Sequence, residues 1–473
     1  MAKSLRVGVL TPTERLDPKA PQHEALLVLQ QVLETPYAFA SGGVELEPLL
    51  FEGLLERVGG SEPAVYRARV REGIAFSDGL PLGAHHLASN LRQAHLIREQ
   101  AHVSVEDRFI SFTLKRPNAR FDLSLSHFQC CVFRQRPGGV LGTGPFALAD
   151  DSRPERVRLV RNPYARRKAP LDEIVFQCYP PDRDGQPTAL FAALERGEVD
   201  VTTVLPRDTR KLDGLRRSVL PGLSTGILYM NGASPRLGDA RVRRALAHAV
   251  DRGALAAEAY GNALVFAAHS LLPRGLTVTP VRDTLRYDLP KAKALLAQPG
   301  VSVPRHLSVL VTWAPRPYLP DPRAAAERLR AQFAELGVTL ELVLVANLPE
   351  FLAQEAAGKQ DLVLSGWTAD TLDPCDFLEA NLDSSRIPGS GPSDDSANVG
   401  RLRSPAVDRA LAAYRAERKQ AQLEELMRLF SDEAPLVPLQ YGATSLLHAF
   451  RVVHVRPSPL AQLDLTTTDL LGH

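Results

Sequence analysis

The side chains best placed for chemistry are one cation and one carboxylate, rather than a nucleophile or a metal cluster. Arg316 stands in Trp313-Ala314-Pro315-Arg316-Pro317-Tyr318-Leu319-Pro320-Asp321-Pro322, a stiff proline/aromatic loop just before a well-capped helix. Asp370 ends Asp361-Leu362-Val363-Leu364-Ser365-Gly366-Trp367-Thr368-Ala369-Asp370, an apolar strand that delivers a Trp and a carboxylate at its C-terminal end. In open α/β sheets, ligands sit outside such strand ends. The plainer alternative makes Arg316 a surface residue and Asp370 a turn or cap. Pattern alone leans that way and leaves the choice open.

Other chemical motifs fail on context. Gly142-Thr143-Gly144-Pro145-Phe146-Ala147 loosely fits a dinucleotide fingerprint, but Pro145 interrupts the spacing, and neither a preceding strand nor a following helix is expected. A tight structural turn is the better reading. His85 and His86 are adjacent on a predicted helix, so they point about 100° apart and do not share one ion. A solvated pair is expected, and no metal site. The chain has neither a Gly-x-Ser-x-Gly elbow nor a phosphate-binding P-loop. The 4 cysteines, Cys130, Cys131, Cys178 and Cys375, suit neither a disulfide framework nor a zinc knuckle and read as buried thiols. No cofactor is expected.

The elements that position Arg316 and Asp370 are well marked. Asp239 can cap a helix in which Val242, Ala245, Leu246, Ala249 and Val250 fall on one face. Asp321 caps the next, with Pro322 at its first position and Ala326, Leu329, Phe333 and Leu336 leading to a stop at Gly337. The strand 338–345 follows directly. Earlier, helices are expected over 24–34, 85–97 and from 190 to a stop at Gly197, and strands over 5–10, 64–71, 109–114, 156–161, 174–176 and 227–231. A Gly-Ala-Ser-Pro break at 232–235 reads as a lobe boundary. Helices alternate with strands through the C-terminal half, which argues α/β units.

A chain of 473 residues suggests two or three lobes. With 44% apolar and 23% charged residues it is an ordinary globular composition. The 56 basic and 54 acidic side chains leave a formal charge of +2, with no basic footprint for nucleic acid. No apolar run reaches the roughly 20 residues of a membrane helix. Residues 1–7 lack the apolar stretch of a secretory signal. Either a signal has been removed, placing the protein outside the cytoplasm, or Met1 is the native start and the protein is cytoplasmic.

Blocks running nearly end to end resemble the peptide/nickel/oligopeptide family of bacterial solute-binding proteins of ABC importers. They are Leu16-Asp17-Pro18, the stretch from Arg69 to Leu82, Gly142-Thr143-Gly144-Pro145-Phe146, Arg161-Asn162-Pro163-Tyr164, Gly197-Glu198-Val199-Asp200-Val201, the stretch from Asp239 to Arg252, and that from Tyr287 to Leu296. Arg316-Pro317-Tyr318-Leu319-Pro320 and Gly366-Trp367-Thr368-Ala369-Asp370 are most similar to the dipeptide-binding branch. The family's usual block ending in a Trp before the first strand pair is missing, and the insertion region is short.

The resemblance implies an α/β, two-lobed periplasmic-binding-protein-like fold (class II, cluster C type) with an extra small insertion domain and a hinge. Domain I would combine 1–36, 136–232 and 440–473, domain II would be 37–135 and domain III 233–439. It implies that Asp370 pairs with a peptide α-ammonium and Arg316 with its α-carboxylate. Trp367 would wall the side-chain space, and Gly366, Thr368 and Tyr318 would complete the site. The implied partners are a short peptide and ABC permease subunits, with the binding protein a monomer and not an enzyme. The pair favours a zwitterion over nickel chelate or haem, although glutathione would satisfy it too. The alternative is a cytoplasmic peptide-binding or maturation protein, or an enzyme of a biosynthetic pathway, that reuses this fold.

Overall fold

Asp239 and Asp321 act as the caps their positions suggest. The Asp239 carboxylate accepts from the Arg241 N–H at 2.8 Å and opens the helix Ala240–Ala249. Asp321 accepts from the Ala324 N–H at 3.0 Å and opens Pro322–Ala334, which ends before Gly337 at φ +74°. The helix expected over 85–97 is instead two, Ala84–Gln93 and His95–Gln100, because Ala94 between them is extended. The computed structural model describes residues 2–19, 23–39, 45–60, 62–182, 186–204, 214–260, 265–276, 285–312, 316, 318–345, 347–369, 371–389, 397–455 and 463–471.

The chain forms two compact units, residues 1–220 with 444–473, and residues 221–443. It passes between them inside two long strands, Leu215–Met230 and Leu436–Ala449. The first crossing lies within a continuous strand, while the sequence break at 232–235 lies just past that strand's end.

In the first unit, Ser4–Val9 is the sheet's organising strand. It pairs in parallel with Glu173–Cys178, from Ser4 opposite Glu173 to Val9 opposite Cys178, and with Val201–Thr202. Arg156–Arg161 and Phe146–Leu148 extend the sheet antiparallel on one side. Leu5, Val7, Leu159, Ile174 and Phe176 pack with Leu29 and Val32 of the helix His23–Val32. A second core in the same unit gathers Tyr37, Phe51, Phe76, Leu87 and Phe112 around a four-stranded antiparallel sheet. Gly142 and Gly144 are required by close approach: a Cβ on Gly144 would lie 2.7 Å from the Val32 carbonyl oxygen. The expected turn is there, but a short strand, Gly139–Leu141, does precede it, paired with Arg134–Arg136. A two-stranded ladder that short leaves little periodic signal amid Pro and Gly.

In the second unit, Leu215–Met230 runs antiparallel to Leu362–Thr368, from Ser224 opposite Thr368 to Met230 opposite Leu362. Leu362–Thr368 is parallel to His306–Thr312, which is parallel to the edge strand Thr339–Val345. The parallel pairs need crossover helices, supplied by Pro322–Ala334 and Leu348–Ala357. All four cysteines are buried free thiols.

Candidate functional site

Leu362–Thr368 changes character along its length. Leu362, Val363 and Leu364 are buried, whereas Ser365, Gly366, Trp367 and Thr368 are half-buried. The apolar half fixes the strand in the core, and the second half carries polar and aromatic groups toward its C-terminal end. Pairing continues beyond the strand: the Ala369 N–H donates to the Leu223 carbonyl at 2.8 Å. Asp370, the next residue, lies outside the described residues.

Gly366 stands directly opposite Gly226, and together they make a floor without side chains. Tyr318 fills that space. A Cβ on Gly366 would come 2.5 Å from Tyr318 Cδ2, and one on Gly226 would come 2.6 Å from the Tyr318 carbonyl oxygen. Gln440 Nε2 donates to the same carbonyl at 2.6 Å. Arg316 and Leu319 exchange two backbone hydrogen bonds, at 3.0 and 2.9 Å, and Leu319 is fully buried. The turn that carries Arg316 is therefore locked to the strand pair through Tyr318 and Leu319. Of the expected residues, Gly366, Trp367, Thr368, Tyr318 and the backbone of Arg316 belong to this one arrangement.

The half-buried Arg316 side chain has no ion pair or hydrogen bond among the described residues. Its charge is felt by Tyr318, whose phenol is pushed up mainly by burial and pulled back by Arg316. Ser365 pulls both the Tyr318 phenol and the Glu355 carboxyl downward. Burial pushes Glu355 up to about 7, with Ser365 opposing it. Tyr229, facing the same interior, donates to Asn381 Oδ1 at 2.7 Å.

Sequence reasoning missed Gly226, Gln440, Ser365 and Glu355. The available signal for Glu355 was its place one helical turn after the buried Phe351, and Glu355 itself is half-buried. Gln440 had none, since only the fold brings it to Tyr318. His85 is exposed and His86 half-buried, the latter against the Phe76 ring at 5.1 Å. Among the described residues no group of three or more His, Cys, Asp or Glu is arranged to hold a metal. A cavity of ≈ 250 Å³ lies at the other end of the strand pair, by Met230, Arg243, Arg401 and Glu433. Its cations are occupied: Arg243 pairs with Glu433 and Arg401 donates to the Pro388 and Ala356 carbonyls.

Comparison with known proteins gives the context of this geometry. The model of the bacterial extracellular solute-binding proteins, family 5 Middle, matches residues 53–389. The chain is 28% identical over 294 residues to the dipeptide-binding protein of Escherichia coli K12, covering 58% of this chain and 54% of that protein. It is 24% identical over 327 residues to the dipeptide-binding protein of Pseudomonas aeruginosa PAO1, covering 66% and 59%. The chain thus spans little more than half the length of these curated relatives. Among solved structures, HbpA2 from Haemophilus parasuis superposes with a TM-score of 0.81 at 22% identity, over 99% of this chain and 100% of that one. The dipeptide binding protein from Pseudoalteromonas sp. SM9913, in complex with Met-Leu, gives 0.80 at 19% identity, over 99% and 100%. The fold is shared with these solved structures, and the chain belongs to the bacterial extracellular solute-binding proteins of family 5.

Proposed function

We propose that this protein captures a short, dipeptide-like zwitterion and passes it to the permease subunits of an ABC importer, catalysing no reaction. The observation that carries the reading is the Arg316 guanidinium, half-buried on a locked turn and without a partner among the described residues. A buried charge demands compensation, and a carboxylate matches the guanidinium fork with two parallel hydrogen bonds. Asp370, directly after the last paired residue of the Trp367 strand, takes the peptide α-ammonium. Trp367 walls the space for side chains, while Gly366, Thr368 and Tyr318 shape its floor. Relatives named as dipeptide-binding proteins support the ligand class.

In this reading the protein acts as an extracytoplasmic monomer. Its lobes correspond to 1–36 with 136–232 and 440–473, to the insertion 37–135, and to 233–439. Asp370→Ala tests the reading by calorimetry. Leaving a buried ammonium unpaired costs about 3–5 kcal/mol, on the order of a hundred- to thousand-fold in affinity. Binding within about threefold of wild type, roughly 0.7 kcal/mol, removes Asp370 from the site.

A further inference from the structure

We propose that Gln440 is a positioning residue that sets the peptide length this site accepts, by holding the Tyr318 carbonyl and with it the turn that bears Arg316. The part that concerns peptide rests on the reading of Arg316 as the carboxylate anchor.

Gln440 is out of place by composition. Leu436, Val437 and Leu439 of the strand Leu436–Ala449 are fully buried apolar residues, and Gln440 is as fully buried as they are. A carboxamide taken out of water costs free energy unless it finds hydrogen-bond partners. Its Nε2 donates not along its own strand but to the Tyr318 carbonyl, 122 positions away, at 2.6 Å. The backbone around it is fixed by pairing. Gln440 stands opposite Ala267, and the Ala268 N–H donates to the Leu439 carbonyl at 3.0 Å. The side chain therefore reaches out from a rigid base.

The neighbouring strands leave the space that this bond uses. Leu436–Ala449 lies beside Leu215–Met230, which lies beside Leu362–Thr368. A Cβ on Gly226 would come 2.5 Å from Gln440 Nε2 and 2.6 Å from the Tyr318 carbonyl oxygen, so the carboxamide meets the loop over the bare Gly226. Tyr318 is thus held at two points, its carbonyl by Gln440 and its ring on Gly366. The two holds differ in kind. Apolar contact is non-directional and lets a ring slide, whereas an N–H···O bond keeps its length within about 0.5 Å. Gln440 therefore decides where on the glycine floor the turn stands, and the paired Arg316 and Leu319 backbones carry that position to Arg316. A length-selective site needs such a fixed point. One added extended residue moves a peptide carboxylate by about 3.3–3.6 Å, so a turn held in one place matches one length and a sliding turn matches several.

Gln440→Met fills the same space without an N–H and tests the bond alone. Pro317 and Pro320 carry no amide hydrogen, so residues 316–320 have three, and two of these are the pair exchanged between Arg316 and Leu319. In ligand-free Gln440→Met, hydrogen exchange over 316–320 should quicken about three- to tenfold relative to wild type, the share of one hydrogen bond. In calorimetry with the dipeptide Met-Leu and free-acid tetrapeptides, the preference for the dipeptide should shrink by a similar factor. The preference for free acid over amide, which the Arg316 charge provides, should persist. Gln440→Glu carries the same test if Gln440→Met does not fold. It donates only while protonated, so it should exchange at the wild-type rate at about pH 5 and faster at about pH 8. Unchanged exchange over 316–320 overturns the proposal, and so does a loss of affinity that is equal for every peptide length. Faster exchange in Gln440→Met, where wild type itself binds no peptide or shows no length preference, upholds the hold on the turn and overturns the ligand reading instead.

Discussion

Two charged clusters, one in each compact unit, differ in how completely they are paired. In the first unit Asp200 is 1% exposed and saturated: Arg6 donates to it from its backbone N–H and from its guanidinium at 2.9–3.0 Å, and Arg451 donates at 2.7 and 3.0 Å. It ties the opening strand, Val201–Thr202 and the C-terminal segment into one sheet. In the second unit neither the half-buried Arg316 nor the half-buried Glu355 has an ion-pair partner among the described residues. A charge whose partners are all supplied by the chain serves the fold, whereas one left open on a turn beside the sheet is available to a ligand.

Substitution should separate the two. Asp200→Ala leaves two guanidinia without their acceptor. It should cost about 3 kcal/mol in denaturant unfolding, the low end for a broken buried pair because both arginines keep some exposure. Its folded fraction should bind peptide normally. Arg316→Ala should do the reverse, leaving stability within about 0.5 kcal/mol while peptide affinity collapses. If the two substitutions had the same effect on stability, the contrast would be lost.

Gly366→Ala sharpens it within the second unit. The added methyl would strike the Tyr318 ring and displace the turn that bears Arg316. A stability loss of about 1–3 kcal/mol is expected, together with weaker peptide binding. Loss of stability with unchanged affinity would disconnect Tyr318 from the ligand.

The smallest effect concerns Glu355 and pH. Its folded-state pKa, about 7, is raised above the ordinary 4.5, so between those values the folded protein binds more protons than the unfolded chain. Stability therefore falls as pH rises through that window and is level above it. Glu355→Gln should match wild type near pH 4 and be more stable at pH 8 by about 1–2 kcal/mol, the full shift being discounted for the residue's partial exposure. Equal stabilities at pH 8, measured by thermal or urea unfolding, would mean that the carboxyl is not desolvated.

What the sequence disclosed follows the range of the interactions. Asp239, Asp321, Pro322 and Gly337 act within one helical turn of themselves, so the helices they delimit were readable directly. Gly366, Trp367 and Thr368 were readable as the end of an apolar strand. Leu215–Met230 was only partly foreseen, over 227–231, because its preceding half mixes Arg, Pro, Gly and Ser without alternation. The Gly226–Gly366 floor and the Gln440 bond to Tyr318 join residues more than a hundred positions apart, which local periodicity does not encode. The roles of Arg316 and Asp370 came from family resemblance, and the pattern by itself favoured ordinary surface and turn residues.

The most direct test of the open-charge account is a calorimetric series of free-acid and C-terminally amidated peptides against wild type, Arg316→Ala and Arg316→Lys. Wild type should bind free-acid dipeptides, reject their amides, and disfavour tetrapeptides, since each added extended residue moves the carboxylate by about 3.3–3.6 Å. Arg316→Ala should no longer distinguish acid from amide, and Arg316→Lys should recover only part of the distinction because an ammonium offers no fork. Equal binding of acid and amide by wild type would contradict the account, because Arg316 would then be no carboxylate anchor.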